Sequence, residues 1–240
     1  MTSAAILNFF GSIGAVTRFA ERAEQRIALE TANTFNVFDW IRPNEVGLSL
    51  VLRELLDPRG SHGQGAAFLT RFLDMFEFEQ RYIEAAGAAN VLTEFRTYSL
   101  SNDRRIDLLI DFGRDVGGIA IENKPWAHEQ PDQLDDYADH LRQHFGASRF
   151  GLVYLDGVGS SPQTLRKHAV MAETGQFKII NFVGSSELVG IRNEPRGKIT
   201  PYPSLKDWLE TCRSDCRAPK IQSFLADFAV WTQEMFGEQI

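Results

Sequence analysis

The chain has 240 residues, enough to bury a substantial hydrophobic core, and its 43% hydrophobic and 24% charged residues are typical of a globular protein. The net charge of −7, from 25 basic and 32 acidic residues, argues against a protein that coats nucleic acid nonspecifically. The two cysteines, Cys212 and Cys216, argue against a secreted disulfide scaffold; with no further ligands to complete a zinc site, we interpret them as reduced thiols.

The N-terminal part of the chain is predicted to be helical. Apolar residues at three- and four-residue steps predict a helix over residues 3–30. No basic segment precedes the apolar residues 4–10, so they are typical neither of a signal peptide nor of a membrane span, and we expect a cytoplasmic protein. Asn44 is predicted to cap the next helix, which ends near Asp57-Pro58.

Helices and strands follow one another along the rest of the chain. Helices are predicted over residues 66–78, 132–145, 163–173, 204–216 and 218–236, and strands over residues 91–100, 104–112, 119–124, 150–155 and 177–182. The Gly117-Gly118 turn predicts a hairpin, and a strand reached through a crossover helix usually lies parallel to its neighbour. This order predicts an α/β protein with a mixed central sheet flanked by helices.

Charged side chains share faces of the two hairpin strands. Asp107 and Asp111 lie on one face of their strand, and Glu122 and Lys124 share a face of the next, because side chains alternate across a strand. We predict that two carboxylates and an ammonium group lie side by side at the end of a hydrophobic sheet, where they can hold a divalent metal ion and a water molecule for metal-assisted hydrolysis. The alternative is a buried Glu–Lys ion pair beside an aspartate, which is costly without an ion.

These residues and the order of the elements resemble the PD-(D/E)XK nuclease superfamily over residues 45–155. In the family pattern an acidic residue on the second strand precedes Glu-x-Lys on the third; here they are Asp107, Glu122 and Lys124, with Ile106 in place of the proline. The resemblance implies a restriction-endonuclease-like αβββαβ core with added N- and C-terminal helices.

Two further segments resemble one bacterial branch of this superfamily. They are Glu45-x-x-x-Ser49, with the following Leu55-Leu56-Asp57-Pro58, and His62-Gly63-x-Gly65-x-x-Phe68-Leu69. In the absence of a repeat or linker we predict one nuclease-like domain over residues 1–240. It would comprise an extension (1–40), the core (41–185) and C-terminal helices (200–240).

The resemblance implies a metal-dependent nuclease that hydrolyses phosphodiester bonds of nucleic acid, with DNA the expected substrate. Asp107 and Glu122 would bind Mg²⁺ or Mn²⁺, the Asn123 carbonyl would be a third protein ligand, and Glu45 would complete the acidic site. For Glu45 the alternative is a carboxylate favoured by the helix dipole. Lys124 would orient the attacking hydroxide or stabilise developing negative charge.

Other residues have assignments with open alternatives. Gln133 and Tyr137, one helical turn apart, resemble a pair beside the active site of exonuclease-like members: Gln133 would steady the water or a phosphate, and Tyr137 would support the lysine or the backbone. Their alternative is a solvated glutamine and a core-edge tyrosine. His62, Arg104, Arg105 and Tyr137 are candidates for substrate binding. The alternatives are an exposed loop histidine and arginines that solvate a strand end.

Two points concern partners. Trp126 follows Lys124, and for it packing over the sheet is favoured over base stacking. We predict no membrane partner. The N-terminal helix and the C-terminal helices are rich in aromatic residues, which could form a homodimer face or pack within their own chain. The C-terminal aromatic residues are Phe224, Phe228, Trp231 and Phe236.

Two other functions are alternatives to the nuclease. One is a catalytically silent nuclease-fold protein that binds nucleic acid or protein; the intact Asp…Glu-x-Lys set favours the enzyme instead. The other is a metal-dependent hydrolase of a different phosphoester. The sequence contains no Gly-rich phosphate loop and no His-rich metal motif, which argues against an ATPase or a zinc hydrolase.

Overall fold

The structure is a computed structural model of the chain. It describes residues 13–14, 16–23, 35–41, 43–97, 104–126, 130–157, 165, 167–184, 191–193, 199–201 and 203–237. The chain divides into two compact units, residues 1–41 and 42–240. In the first unit, residues 13–14 and 16–23 are helical, which agrees with the helix predicted over 3–30; the rest of that prediction lies outside the described residues. Helix α1 of this unit spans Val37–Ile41.

The second unit contains the remaining helices and strands. Its helices are α2 (Glu45–Leu56), α3 (Ala67–Met75), α4 (Gln80–Ala85), α5 (Gln133–Phe145), α6 (Val170–Glu173), α7 (Leu205–Asp215) and α8 (Pro219–Phe236). Its strands are β1 (Asn90–Arg96), β2 (Arg105–Asp111), β3 (Gly118–Lys124), β4 (Phe150–Asp156), β5 (Phe177–Asn181), β6 (Ile191–Asn193) and β7 (Ile199–Pro201). Helix α4 and the two short strands β6 and β7 were not predicted.

The strands form a mixed sheet in the order β1-β2-β3-β4-β5. The β1–β2 and β2–β3 pairs are antiparallel, whereas the β3–β4 and β4–β5 pairs are parallel. Strand β4 follows β3 through helix α5, so the parallel pairing is the one expected for a crossover connection. The predicted α/β fold with a mixed sheet flanked by helices is confirmed, and the elements α2, β1, β2, β3, α5 and β4 follow the expected αβββαβ order, with α3 and α4 inserted.

Helices α2 and α5 lie on opposite faces of this sheet. The α5 residue Gln133 contacts Glu122, whereas the α2 residue Ser49 contacts Asn123, and neighbouring residues of a strand point to opposite faces. Apolar residues of α5 at helical spacing, among them Leu134, Ala138, Leu141 and Phe145, belong to one buried cluster with β-strand residues such as Leu109, Ala120 and Leu152. Burial of this apolar face therefore fixes α5 across the centre of the sheet.

Helix α2 begins and ends at the residues that the sequence predicts. The Asn44 side chain accepts a hydrogen bond from the Gly47 amide at 2.8 Å, as an N-cap does. At the other end Asp57 pairs with Arg53 at 3.1 Å, and Pro58 follows. The cap places Glu45 in the first turn of the helix.

The helix predicted over residues 163–173 is wrong in extent. Leu165 is not helical, residues 167–169 form a turn, and the described helix α6 begins only at Val170. The physical cause is a competing hydrogen bond: the amide of Lys167 donates to the Asp135 carboxylate on α5 at 3.0 Å.

The aromatic residues of α8 pack within the second unit. Phe228, Trp231 and Phe236 are buried, and the Phe236 ring lies 4.3 Å from that of Phe182 (ring centroids). For these three residues the structure therefore supports packing within the chain. Cys212 and Cys216 are free thiols, as expected. None of the helices among the described residues combines the length and the apolar character needed to cross a membrane.

Candidate metal centre

The candidate centre lies where strands β2 and β3 separate. Their ladder runs from the Asp111–Gly118 pair to the Leu108–Ile121 pair and then stops. Beyond this point the amide of Asn123 donates to the Asp107 carboxylate at 2.7 Å, so a side chain occupies the place of a ladder carbonyl. The separation of the strands therefore brings Asp107 against the end of β3.

The other neighbour of Asp107 is also irregular. In the register between β1 and β2, Thr93 pairs with Leu108 and Phe95 pairs with Ile106. Glu94 and Asp107, which lie between these pairs, are not paired with each other. Glu94 has a φ of 52°, a left-handed conformation that is uncommon for a residue with a side chain. The backbone is thus distorted on both sides of this aspartate.

Three carboxylates from three elements meet at this position. They are Glu45 of α2, Asp107 of β2 and Glu122 of β3, and each offers one oxygen atom such that all three oxygens lie within 4.8 Å of one another. Glu122 is fully buried, whereas the Glu45 side chain is 34% exposed. The cluster is therefore open to solvent on the side of Glu45.

Lys124 bridges two of the carboxylates. Its Nζ lies 2.6 Å from Glu122 Oε1 and 2.7 Å from Glu45 Oε1, and only 9% of the side chain is exposed. When all four groups are ionised, three carboxylates against one ammonium leave two negative charges. This residual charge matches that of a divalent cation.

Helix α5 holds Glu122 from the other side. The Gln133 amide nitrogen donates to Glu122 Oε1 at 2.6 Å and to the Tyr137 hydroxyl at 2.9 Å. The Tyr137 hydroxyl in turn donates to the main-chain carbonyl of Arg105 on β2. Gln133 and Tyr137 are both buried, so the alternative of a solvated glutamine is wrong. The pair connects α5 to both strands of the centre.

The Asn123 side chain connects β3 to the first turn of α2. Its Nδ2 donates to Ser49 Oγ at 3.0 Å and to the main-chain carbonyl of Glu45 at 3.2 Å. Ser49 Oγ donates to that same carbonyl at 3.0 Å. This contact was not predicted, although the spacing of Glu45 and Ser49 places both residues on one helix face. A role of the Asn123 main-chain carbonyl as a metal ligand stays a prediction.

Burial and mutual repulsion set the ionisation of the carboxylates. Burial raises the pKa of Asp107 to about 6, and burial together with the nearby Asp107 charge raises the pKa of Glu122 to about 8. Burial alone would lower the pKa of Lys124, but the surrounding carboxylates, Glu122 foremost, outweigh it and raise this pKa above its ordinary value. The ammonium therefore stays charged. Near neutral pH the Glu122 carboxyl favours a proton or a cation, and Asp107 does so at slightly acidic pH.

The residues present fit a divalent metal ion. Glu122 Oε2 is buried and has no hydrogen-bond partner among the described residues. A buried anionic oxygen without a donor is costly, and a cation would remove that cost. Carboxylate oxygens are also the ligands that Mg²⁺ and Mn²⁺ prefer.

A protein-family model for the PD-(D/E)XK nuclease superfamily matches residues 35–230, most of the chain. The chain belongs to the PD-(D/E)XK nuclease superfamily. The match extends beyond the 45–155 over which the motifs resemble this superfamily, and it confirms the family and the fold expected from them. No curated protein and no solved structure matches the chain.

Of the residues that the resemblance to the superfamily suggested, His62 has its partners outside the carboxylate cluster. Its Nε2 lies 3.0 Å from the Asp57 carbonyl, and its Nδ1 accepts from the Gln64 amide at 3.0 Å, so Nε2 carries the proton. The ring stacks on Phe68 and is buried, so the alternative of an exposed loop histidine is wrong. These contacts hold together the turn after α2, and a substrate-binding role stays a prediction.

Arg104, which precedes β2, and Arg105, its first residue, each pair with a carboxylate outside the cluster. Arg104 Nε lies 2.8 Å from Asp136 Oδ2, an ion pair without the alignment of a hydrogen bond, and Arg104 also donates to the Pro131 carbonyl at 2.7 Å. Arg105 pairs with Glu94 at 3.2 Å and stays exposed. Arg104 thus ties β2 to the start of α5. Phosphate binding by either arginine stays a prediction.

Proposed function

We propose that the protein is a divalent-metal-dependent nuclease that hydrolyses phosphodiester bonds, with DNA as its substrate. One observation carries the proposal: in a chain of the PD-(D/E)XK superfamily, oxygens of Glu45, Asp107 and Glu122 lie within 4.8 Å of one another beside the ammonium of Lys124. Hydrolysis of a phosphodiester requires neutralisation of the phosphate charge and a nucleophile that is available at neutral pH, and this set of groups suits both needs.

Asp107, Glu122 and Glu45 would hold the metal ion, Mg²⁺ or Mn²⁺, together with the main-chain carbonyl of Asn123. When bound, the ion supplies Lewis-acid polarisation of the phosphate and a lowered pKa of water. Two observations on the described residues support this assignment: Glu122 Oε2 has no hydrogen-bond partner, and oxygens of three carboxylates converge.

Lys124 would stabilise negative charge as the phosphodiester reacts. Its raised pKa argues against a general base, because a base must give up its proton near the operating pH. The ammonium is held between Glu122 and Glu45 and has a further N–H group to donate. A fixed charge that needs no reorganisation is effective at the point where charge develops.

Gln133 and Tyr137 would act through Glu122. Gln133 donates both of its amide protons, one to Glu122 and one to Tyr137, which favours orientation of that carboxylate over a direct hold on water or phosphate. Tyr137 keeps its proton because burial, together with the nearby Glu122 charge, raises its pKa. Gln133 would therefore contribute to catalysis by holding Glu122 in position.

The proposal is tested by incubating the purified protein with supercoiled plasmid, linear duplex, single-stranded DNA and RNA in Mg²⁺ or Mn²⁺, with EDTA as the blank. We expect metal-dependent cleavage that Lys124→Ala reduces by about 10²- to 10³-fold, the range for loss of one charge-stabilising group. Lys206→Ala is the matched control, since Lys206 also binds a glutamate at 2.7 Å, but on the surface of α7.

Each outcome has a distinct meaning. Cleavage that persists in EDTA, or that Lys124→Ala leaves unchanged, contradicts the proposed mechanism. Nucleic-acid binding without cleavage supports the catalytically silent module. The preference among the four substrates decides between DNA and RNA. A cytoplasmic location, a bacterial source and homodimer formation stay predictions of the sequence.

A further inference from the structure

Trp126 lies just beyond the C-terminal end of β3, the central strand of the sheet that holds the candidate centre. Lys124 is the last residue of β3, and it pairs in register with Asp156 at the end of β4. The amide of Gly157 then donates to the Lys124 carbonyl at 3.0 Å. Trp126 follows only two residues after Lys124, so the two Cα atoms are at most about 7 Å apart.

The Trp126 indole packs against two aromatic side chains of α8. Its ring centroid lies 6.4 Å from that of Trp231 in an edge-on arrangement and 6.0 Å from that of Phe236. Both supporting residues are buried, at 4% and 3% exposure. These edge and tilted contacts are favourable geometries for aromatic rings and restrict the motion of the indole.

Gly157 permits this arrangement. A Cβ atom at that position would lie 2.3 Å from the Pro125 carbonyl oxygen and 2.8 Å from the Phe236 ring. The absence of a side chain therefore lets the segment after β3 fold down against β4 and α8.

Trp126 as a whole residue nevertheless remains 42% exposed. Its contacts agree with the packing that the sequence favoured, but they do not cover it. A large aromatic surface left in water next to a reaction centre is available for a ligand with a flat apolar face.

The charges around the centre favour a ligand contact of this kind. The chain carries a net charge of −7, and Lys124, Arg104 and Arg105 each already pair with a carboxylate. The positive charge of these three side chains is thus partly neutralised. Stacking of a base on an aromatic ring adds affinity without any positive charge.

We propose that Trp126 stacks on an unpaired nucleobase next to the scissile phosphate, and that the enzyme therefore prefers DNA that is single-stranded at the cleavage site. This inference rests on the proposed nuclease function. A base inside a duplex is stacked on its neighbours and must leave the helix before it can contact an external indole.

The test measures binding of a labelled single-stranded oligonucleotide and of the blunt duplex of the same sequence by fluorescence anisotropy, in Ca²⁺ and in EDTA, beside cleavage rates in Mg²⁺. We expect Trp126→Ala to weaken single-strand binding about tenfold and to raise KM with little change in kcat, while the duplex is affected less. Trp126→Phe keeps a flat ring and should remain near the parent protein.

Val170→Ala is the control, because Val170 is another exposed apolar residue and lies on α6 of the same unit. It should leave binding and cleavage unchanged. Metal affinity, measured by Mn²⁺ titration, should be the same in all four proteins. A loss of Mn²⁺ affinity in Trp126→Ala would mean that the substitution disturbs the centre itself and would overturn the stacking role.

The outcomes separate this inference from the nuclease proposal. If the parent protein neither binds nor cleaves nucleic acid, both fail. If it cleaves DNA and Trp126→Ala has the same KM, or weakens duplex and single strand equally, only the stacking role is overturned. A dimer in sedimentation that Trp126→Ala dissociates would assign the indole to a protein contact instead.

Discussion

Asp107 and Asp111 are the same residue type on the same strand, four positions apart, yet their surroundings differ completely. Asp111 lies at the end of β2 where the hairpin turns, and its carboxylate accepts a hydrogen bond from the nearby Gly113 amide at 2.8 Å. Asp107 lies where β2 and β3 separate, and its carboxylate accepts from the Asn123 amide of the next strand. One aspartate closes a local turn, and the other joins a cluster built from three elements.

The difference shows what strand alternation can and cannot predict. Alternation assigns a side chain to a face of the sheet, and both aspartates satisfy the same assignment. Whether a carboxylate is exposed or meets other charges depends on residues that arrive from elsewhere in the chain. Here Glu45 and Glu122 arrive beside Asp107, and burial raises the pKa of that carboxyl to about 6.

The largest expected effect is on cleavage. Asp107→Asn should lower kcat/KM by about 10²-fold or more, because it removes a metal-ligand charge while keeping the size of the side chain. Asp111→Asn makes the same chemical change in the same strand and should stay within about threefold of the parent protein. Steady-state cleavage of the preferred DNA in Mg²⁺ measures both variants. Equal losses in the two variants would refute the assignment of Asp107 to the centre.

The next effect is on thermal stability as a function of pH. The folded pKa values of Asp107 and Glu122, about 6 and about 8, lie above the ordinary values of 3.8 and 4.5. The folded protein thus retains protons that the unfolded chain has lost, and this stabilisation is complete below the ordinary values and lost as the pH rises through the raised ones. Without metal, the melting temperature should fall from about pH 5 to about pH 9.

Both Mg²⁺ and a substitution at Asp107 should change this dependence of the melting temperature on pH. Mg²⁺ takes the place of the protons, so it should raise the melting temperature more at about pH 8 than at about pH 5. Asp107→Asn should flatten the metal-free curve, whereas Asp111→Asn should not. Differential scanning fluorimetry in EDTA and in Mg²⁺ provides the curves. A flat curve for the parent protein would count against the raised pKa values.

The smallest effect concerns the position of Glu45. Ser49→Ala removes the hydroxyl that binds both the Glu45 carbonyl and Asn123, so we expect Mn²⁺ affinity to fall by about threefold to tenfold. Thr232→Ala is its control, since the Thr232 hydroxyl donates to the carbonyl one turn earlier in α8 at 2.7 Å. Each variant should lose about 1 kcal/mol of stability.

Only Ser49→Ala should change metal binding, and Ser49→Thr should restore it. Isothermal titration with Mn²⁺, beside thermal melts, separates the two consequences. If both alanine variants bind Mn²⁺ like the parent protein, the contact between Ser49 and Asn123 serves stability alone.

Much of the fold was predictable because it depends on local signals. Asn44 caps α2 through a bond to a residue three positions away, and the predicted hairpin forms, although its turn lies at residues 114–116 and Gly118 already belongs to β3. Strand alternation brought Asp107, Glu122 and Lys124 to the correct faces.

The contacts that were missed join residues remote in the sequence. Asn123 and Ser49 are 74 positions apart, and no local pattern connects them. The Asp135 carboxylate accepts a hydrogen bond from the amide of Lys167, 32 positions away, and this bond shortens the predicted helix. Side-chain partners of this kind follow from the packing of helices on the sheet, which periodicity alone does not determine.

The bond from the Asn123 amide to Asp107 gives the centre an internal reporter. In a continuous ladder this amide would face a carbonyl, whose charge never changes. Here it faces a carboxylate that is free, protonated or ligated, and each state alters the shielding of the amide proton. The backbone resonance of one residue in a nuclear magnetic resonance spectrum would therefore follow the state of the centre, with no probe attached to the protein.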